Sequence, residues 1–409
     1  MPLDLNQTIA QIGSMTLRLV SASESRRQKL ETALDTMTRQ SRNLPALRDR
    51  IATTITAGTS TWLTTGMVGI VEGLDLHITP PPTPADFTVV AADGSHIDVD
   101  RHYSTHCFLI NIGTVTLTYG HRSRASLSSS PLLYFDDNDV VLTSPSGDKP
   151  PQPIQGPLLG AKRSVDECQA LAIAAAELPG VTPVVCLIDG SLVLWGLART
   201  IYPEFVTDIL ISGGLLKHLS EIQKLGCRRP IGLASYISFP RNTEVVNALR
   251  LAICPFDNID CDRNCSYGTQ QRPCDAIGGI LDRDIFHHLL KPGERSAVFA
   301  SLSNIVTNLY NSHQIHFFYL NTGEEIARVE VPSWITSNKD MLSMTHAIIL
   351  DQCRRGNGYP VALSEAHEQA VVTGRDREEF WRLVEESLAK KNITLDTSLK
   401  SQSKRTRWL

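Results

Sequence analysis

Two apolar runs in this chain each end at an Asp-Gly-Ser triplet, and together they constrain the fold more than any other feature. The first run is Phe87–Ala92, followed by Asp93, and the second is Pro183–Ile188, followed by Asp189. Apolar, β-branched stretches of this length predict buried strands. The glycine beside each carboxylate allows a ligand to approach the backbone, so the pair predicts a metal or phosphate site. The alternative for either copy is a tight hairpin turn, which Asp-Gly also signals.

A helical stretch lies just before the second triplet. It spans Ser164–Leu178, is rich in Ala and Leu, and carries Glu167 three residues after Ser164, in the pattern of a capping box. We therefore expect Ser164 to be the N-cap and Glu167 to lie in the first helical turn. Asp166 and Glu177 are neighbouring carboxylates that would compete with Glu167 for a role in a site.

The order of the other predicted elements indicates the fold class. Strands are predicted at Cys107–Tyr119, Pro131–Phe135, Val140–Leu142 and Pro230–Ser238, and helices at Pro203–Leu225 and Asn242–Ile253. A strand bearing Asp, an antiparallel meander, a helix bearing Glu and a second strand bearing Asp is the layout of the ribonuclease H fold. In that fold such carboxylates converge on two divalent metal ions. We expect an α/β protein with a ribonuclease H-like mixed sheet flanked by helices.

The 409 residues divide into four predicted segments. We expect an N-terminal helical segment at 1–78, divided by Pro45, and a Pro-rich linker at 79–86. The ribonuclease H-like domain is expected at 87–390 with a cysteine-rich insertion at 254–295, and a short basic tail at 391–409.

Composition narrows the function classes. The formal net charge of -4 gives no overall basic footprint, so nucleic-acid contact would have to be local or assisted by metal ions or a partner. The first residues do not resemble a signal peptide and no apolar run has membrane-spanning length, so we expect a cytoplasmic protein without membrane contact. Nine cysteines, an odd number and mostly scattered, are unlike a disulfide framework.

Four of the cysteines cluster among polar residues, at Cys254, Cys261, Cys265 and Cys274. Their spacing would let four thiolates meet on one structural zinc ion or iron-sulfur cluster, although it matches neither a zinc ribbon nor a ferredoxin run. The alternative is that they are small buried hydrophobic residues.

A last motif joins Tyr359-Pro360 to Ala366-His367. Pro360 excludes helix just before it and Ser364 is a plausible N-cap, which would place His367 in the first helical turn, where a phosphate finds free amide donors. The alternative is an ordinary capped surface helix.

Taken in order, these motifs resemble the NurA nucleases. The resemblance rests on Ala92-Asp93-Gly94-Ser95, on Glu167 before Leu187–Leu192, and on Tyr359-Pro360 with Ala366-His367. It implies a Mn²⁺- or Mg²⁺-dependent homodimeric nuclease that degrades DNA as a 5′ to 3′ exonuclease and single-strand endonuclease, acting on single strands and duplex ends. It also implies a hexameric HerA-type ATPase partner in DNA end processing and double-strand break repair. By the same resemblance Asp93, Glu167 and Asp189 are metal ligands, and Tyr359 and His367 complete the active site.

Two features depart from the family pattern. Archaeal members often carry a Lys after the second Asp strand, where this chain offers Arg241, and the cysteine cluster is typical of a bacterial-type branch. Two other functions fit less well. One is a non-catalytic subunit that binds DNA ends or a partner protein. The other is a phosphotransferase of the actin-like fold, which fits less well because the chain has no P-loop.

Overall fold

The computed structural model describes residues 4–58, 68–99, 107–136, 138–198, 202–265 and 272–391. They fall into two compact units. The first unit comprises the chain up to Pro80, Ser238–Asn304 and His316–Val329; the second comprises Pro81–Ile237, Ile305–Ile315 and the chain from Glu330 onward. The basic tail predicted at 391–409 lies, from residue 392 on, outside the described residues.

The described strands are β1 (Val68–Ile70), β2 (His77–Ile78), β3 (Phe87–Ile97), β4 (Phe108–Tyr119), β5 (Arg124–Tyr134), β6 (Val141–Leu142), β7 (Gln152–Pro153), β8 (Val184–Asp189), β9 (Ile231–Ile237), β10 (Arg295–Ser296), β11 (Phe299–Ser301), β12 (Ile315–Asn321) and β13 (Ile326–Pro332). The α-helices are α1 (Leu5–Ser41), α2 (Leu44–Ala57), α3 (Pro157–Glu177), α4 (Trp195–Ala198), α5 (Glu204–Thr207), α6 (Leu216–Leu225), α7 (Glu244–Ala252), α8 (Cys261–Asn264), α9 (Asp282–Leu289), α10 (Asn304–Leu309), α11 (Ser333–Thr336), α12 (Lys339–Arg355), α13 (Val361–Ala370) and α14 (Gly374–Ala389). A π-helical stretch, Asp208–Leu215, joins α5 to α6, and 3₁₀ turns cover Pro273–Ile277 and Asn311–His313.

In the second unit, five strands lie side by side in the order β5-β4-β3-β8-β9. The consecutive strands β3, β4 and β5 pair antiparallel, whereas β3, β8 and β9 pair parallel. This is the ribonuclease H-like arrangement: a three-stranded meander with two parallel strands added on the far side of its first strand. The predicted fold class is confirmed.

The parallel strands are buried because helices cover them. In β8 every residue from Val184 to Ile188 is buried, and only Asp189 at its end is exposed. A continuous apolar run of this kind is typical of a parallel strand with both faces covered. Along β8, Asp189 is therefore the first residue after the buried run whose side chain is accessible to solvent.

The long helix α3 packs its apolar side against β3. Its buried residues recur at helical spacing of three and four, as in Leu158, Ala161, Val165, Cys168 and Ala172. The predicted start of this helix was wrong. The helix begins at Pro157, seven residues before Ser164, because a proline suits the first turn of a helix and the amphipathic pattern extends back to it.

Helix α13 rests directly on the backbone of β4. A Cβ atom on Gly113 would lie 2.2 Å from the carbonyl oxygen of Ala366 and 2.6 Å from the amide nitrogen of Ala370, so only glycine permits this approach. Ser95 and Asn111 donate hydrogen bonds to the Ala370 carbonyl, at 2.5 and 2.9 Å, and satisfy an acceptor that the helix end leaves open.

The first unit has its own core. Helix α1 contributes Ala33 and Met37, and α2 contributes Leu47 and Ile51, to a cluster that includes buried residues of α7 and β11. Of the helical segment predicted at 1–78, Leu5–Ser41 and Leu44–Ala57 are helical, with Pro45 in the first turn of α2, whereas β1 and β2 near its end are short strands. Helix α1 starts at Leu5 and ends at Ser41. None of the helices in the described residues is both long and apolar enough to cross a membrane.

We predict that Gly113→Ala lowers the free energy of unfolding by about 1–3 kcal/mol, because the added methyl group would overlap the backbone of α13. Urea unfolding followed by circular dichroism measures the change. Gly160→Ala is the matched control: a Cβ there meets nothing within 4 Å, so near the start of α3 the substitution should be neutral or stabilising by up to about 1 kcal/mol. Equal stabilities for the Gly113→Ala variant and the wild-type protein would show that α13 does not depend on this close approach.

Candidate active site

The two aspartates of the Asp-Gly-Ser triplets lie at matching positions on neighbouring parallel strands. Ala92 of β3 is paired in register with Ile188 of β8, so Asp93 and Asp189 are the next residue on each strand. The prediction that a strand ends at each triplet holds only for the second. Strand β3 continues past Asp93 to Ile97, because β4 stays paired with it along that whole length.

The turn after Asp189 is fixed by several hydrogen bonds. Gly190 has a φ of +83°, which favours glycine, and its amide donates to the Tyr236 carbonyl at 3.0 Å. The next residue, Ser191, donates its hydroxyl proton to Glu330 at 2.7 Å. Asp189 therefore sits on a rigid strand end.

Glu167 faces the same place from α3 and is buried. Its position next to β3 depends on Gly94, because a Cβ atom there would lie 2.7 Å from Glu167 Oε1. Burial raises the pKa of Glu167 to about 8; the Arg163 guanidinium opposes this shift, and the charges of Asp93 and Asp189 add to it. Glu167 lies in the middle of α3 and not in its first turn, so the predicted capping-box role was wrong.

The two competing carboxylates of α3 are placed differently. Asp166 is buried beside Lys162 and Tyr134: Lys162 Nζ lies 2.5 Å from Oδ1 and the Tyr134 hydroxyl donates to Oδ2 at 3.0 Å. Glu177 is exposed at the end of the helix. Glu167 is the one on which the charges of Asp93 and Asp189 act.

His367 reaches Asp93 from α13. Its Nδ1 lies 2.8 Å from Asp93 Oδ2, while 61% of the imidazole side chain remains exposed. The predicted helical context was wrong: α13 begins at Val361 after Pro360, so Ser364 is inside the helix and His367 is in its last turn. The free amide groups at the N-terminus of α13 are therefore not next to His367.

Tyr359 completes the group beside Asp189. Its hydroxyl donates to Asp189 Oδ1 at 3.0 Å, and its ring meets Tyr236 edge-on at 5.3 Å. Tyr236 is itself the register partner of Asp189 on β9. Partial burial raises the pKa of Asp189, the Tyr359 hydrogen bond opposes the shift, and the Asp93 charge adds to it.

Each of the three carboxylates thus has a protein partner: Asp93 has His367, Glu167 has Arg163 at 3.1 Å, and Asp189 has Tyr359. With the side chains in these positions, no group of three or more His, Cys, Asp or Glu within the described ranges is arranged to hold a metal ion. The donor set nevertheless fits divalent cations, because it consists of hard carboxylate oxygens whose charges act on one another.

The cysteine cluster belongs to the first unit. Cys261 and Cys265 lie one turn apart at α8, joined by a backbone hydrogen bond of 3.1 Å, and Arg250 contacts Cys274 Sγ at 3.6 Å. None of the four cysteines, Cys254, Cys261, Cys265 and Cys274, takes part in a disulfide bond. A zinc ion or iron-sulfur cluster on these residues stays a prediction.

Sequence reasoning overlooked Arg163. Arg163 lies four residues before Glu167, a spacing that brings two side chains together on one helix face. The sequence alone could therefore have predicted their ion pair. Gly113, Ser95 and Asn111 left no such signal, because their roles arise only when α13 packs on the sheet.

The strand order and the convergence of acidic side chains define the second unit as a ribonuclease H-like domain. The chain matches the sequence profile of the NurA domain over residues 87–372, which is most of its length. The chain therefore belongs to the NurA family, and its function is of the nuclease type.

The comparisons with solved structures and with curated proteins do not add to the family assignment. The solved structures include 25 matching chains, among them LC9-RNase H1, described as a type 1 RNase H with the type 2 active-site motif. That protein is 10% identical, and the match covers 42% of this chain and 72% of that chain with a TM-score of 0.20. So low a score carries no argument, and the fold assignment stands on the strand order. No curated protein matches the chain.

We predict that Glu167→Gln changes how stability depends on pH. The folded protein holds the Glu167 proton more tightly than the unfolded chain between pH 4.5 and about 8, so in that window wild-type stability falls as pH rises. The variant lacks this titration. In metal-free urea unfolding, the stability of Glu167→Gln relative to wild type should therefore increase from pH 5 to pH 8. Parallel pH profiles for the two proteins would contradict the raised pKa.

Proposed function

We propose that this protein is a divalent-metal-dependent DNA nuclease, with Asp93, Glu167 and Asp189 as the ligands of Mn²⁺ or Mg²⁺. One observation supports this above the others: three carboxylates from β3, α3 and β8 converge on one site, where the charges of Asp93 and Asp189 oppose ionisation of the buried Glu167. Such an arrangement is costly in the absence of a cation, and a divalent ion would offset the repulsion.

The ions would supply the chemistry of phosphodiester hydrolysis, activating a water molecule and stabilising the leaving oxygen. The chain's own groups have other roles. Tyr359 would orient the Asp189 carboxylate through its hydroxyl hydrogen bond. His367, held by Asp93 through Nδ1 and otherwise exposed, would offer its other ring nitrogen to the substrate for proton transfer or for a hydrogen bond to a phosphate oxygen.

The finer parts of the proposal rest on the family. We propose 5′ to 3′ exonuclease and single-strand endonuclease activity in DNA end processing and double-strand break repair, by a cytoplasmic homodimer working with a HerA-type hexameric ATPase. The structural zinc ion or iron-sulfur cluster on Cys254, Cys261, Cys265 and Cys274 belongs to the same proposal. Its test is the zinc, iron and sulfide content of the purified protein beside a variant with all four cysteines changed to serine.

We predict that Asp93→Asn or Asp189→Asn lowers DNA cleavage by about 100-fold or more, because losing a metal ligand removes several kcal/mol of transition-state stabilisation. The assay uses 5′-labelled and 3′-labelled single-stranded and duplex DNA, with Mn²⁺, with Mg²⁺ and with chelator, and the two labels report the direction of degradation. Asp148→Asn is the control, since Asp148 is an exposed loop carboxylate bound by Ser144 and should leave cleavage unchanged.

The fold of each variant is checked by circular dichroism. Cleavage that survives the double substitution of Asp93 and Asp189, or that proceeds equally in chelator, would contradict the proposed function. DNA binding without cleavage under any metal would instead support a non-catalytic DNA-end-binding subunit.

A further inference from the structure

A group of basic side chains lies beside the three carboxylates in the second unit. It consists of Arg163 on α3, His96 on β3 and Arg377 on α14, and we call it the basic edge. The metal-binding proposal gives it no role. A ligand that interacts with both the carboxylate site and the basic edge would have to be an anion that also accepts metal coordination.

Arg163 connects the two groups. Its Nε lies 3.1 Å from Glu167 Oε1, and its Nη1 lies 3.5 Å from His96 Nδ1. The side chain crosses β3 at Gly94, where a Cβ atom would lie 2.9 Å from Arg163 Cγ. Since Gly94 directly follows Asp93, the guanidinium stem passes immediately beside the proposed metal ligands.

The exposure of the pair is asymmetric. The Glu167 side chain is 5% exposed and the Arg163 side chain is 33% exposed. One end of the contact is therefore fixed in the protein and the other is accessible from solvent. A guanidinium with five N–H donors has the fork geometry that binds two phosphate oxygens at once.

The His96 imidazole lies beside Arg163, and the charge of Arg377 also acts on it. Burial lowers the pKa of His96, and the charges of Arg163 and Arg377 lower it further, while Asp98 opposes them. Arg377 is exposed near the start of α14. The charges of the two arginines thus act on the same imidazole, one from α3 and the other from α14.

A purely structural role for Arg163 is the competing explanation. An arginine and a glutamate four residues apart stabilise a helix, but the pair is stronger when the acid comes first, and here the base comes first. The neighbouring Lys162–Asp166 pair has the same spacing and order, with its lysine also against Tyr134. Lys162 therefore shows what a structural pair at this place in the fold looks like, with its ammonium group held by Asp166 and Tyr134.

We propose that the basic edge binds a backbone phosphate of a DNA strand, with Arg163 making the direct contact, so that an adjacent phosphodiester lies at the carboxylates. This inference rests on the proposed function and names the part of the site that holds the substrate strand in place. Arg163 is in this view a substrate-binding residue.

Its test is the salt dependence of DNA binding by the full-length protein in chelator, where no cleavage occurs. Fluorescence anisotropy of a labelled single-stranded oligonucleotide gives the binding constant at several salt concentrations. Each phosphate contact contributes about 0.7 to the slope of the logarithm of that constant against the logarithm of salt concentration for single strands. We expect Arg163→Gln to weaken binding and to reduce the slope by about this amount, and Arg163→Gln with Arg377→Gln to reduce it about twice as much.

Two further variants separate binding from folding. Arg163→Lys keeps the charge and should keep the wild-type slope, with weaker binding because a lysine lacks the bidentate fork. Lys162→Gln removes a neighbouring charge on the same helix and should keep both slope and affinity.

The outcomes distinguish this inference from the proposed function. Wild-type binding together with unchanged affinity and slope in a folded Arg163→Gln variant would overturn the inference alone. Equal losses in Arg163→Gln and Lys162→Gln would also overturn it, because they would show a general effect of charge or folding. A wild-type protein that neither binds nor cleaves DNA would contradict the proposed function and this inference together.

Discussion

The convergence of three carboxylates, of which Glu167 is buried, is the constraint around which the second unit is arranged. Asp93 and Asp189 occupy matching positions on two adjacent parallel strands, and the buried Glu167 faces them from α3. Ionised groups in such surroundings need compensation. Each carboxylate has its own partner: His367 on α13 for Asp93, Arg163 on α3 for Glu167, and Tyr359, just before α13, for Asp189.

The scaffold explains how these contacts are kept. Parallel strands with both faces covered leave only their ends accessible, so the polar residue that follows a buried run becomes the site residue. Glycines then allow the elements to approach. Gly94 admits Glu167 against β3, and Gly113 admits α13 against β4, which brings His367 to Asp93. The site thus depends on these two glycines as well as on the three acidic residues.

The sequence predicted the strands and their acids because that information is local: an apolar run, a carboxylate and a glycine stand next to one another. It failed at helix boundaries. The start of α3 at Pro157 and of α13 at Val361 show that Ser164 and Ser364, although good capping residues, lie inside longer amphipathic segments. The pairing of Arg163 with Glu167 could have been found from their spacing of four residues. The role of Gly113 could not, because it follows from the packing of α13 on β4.

The central claim is that the three carboxylates form a cation site, and calorimetric titration of the metal-free protein with Mn²⁺ tests it most directly. The account predicts saturable binding to the wild-type protein in the absence of DNA, and a large loss of that binding when Asp93 and Asp189 are both changed to asparagine in a protein that remains folded. Binding that is absent from the wild-type protein, or unchanged by the double substitution, would contradict it.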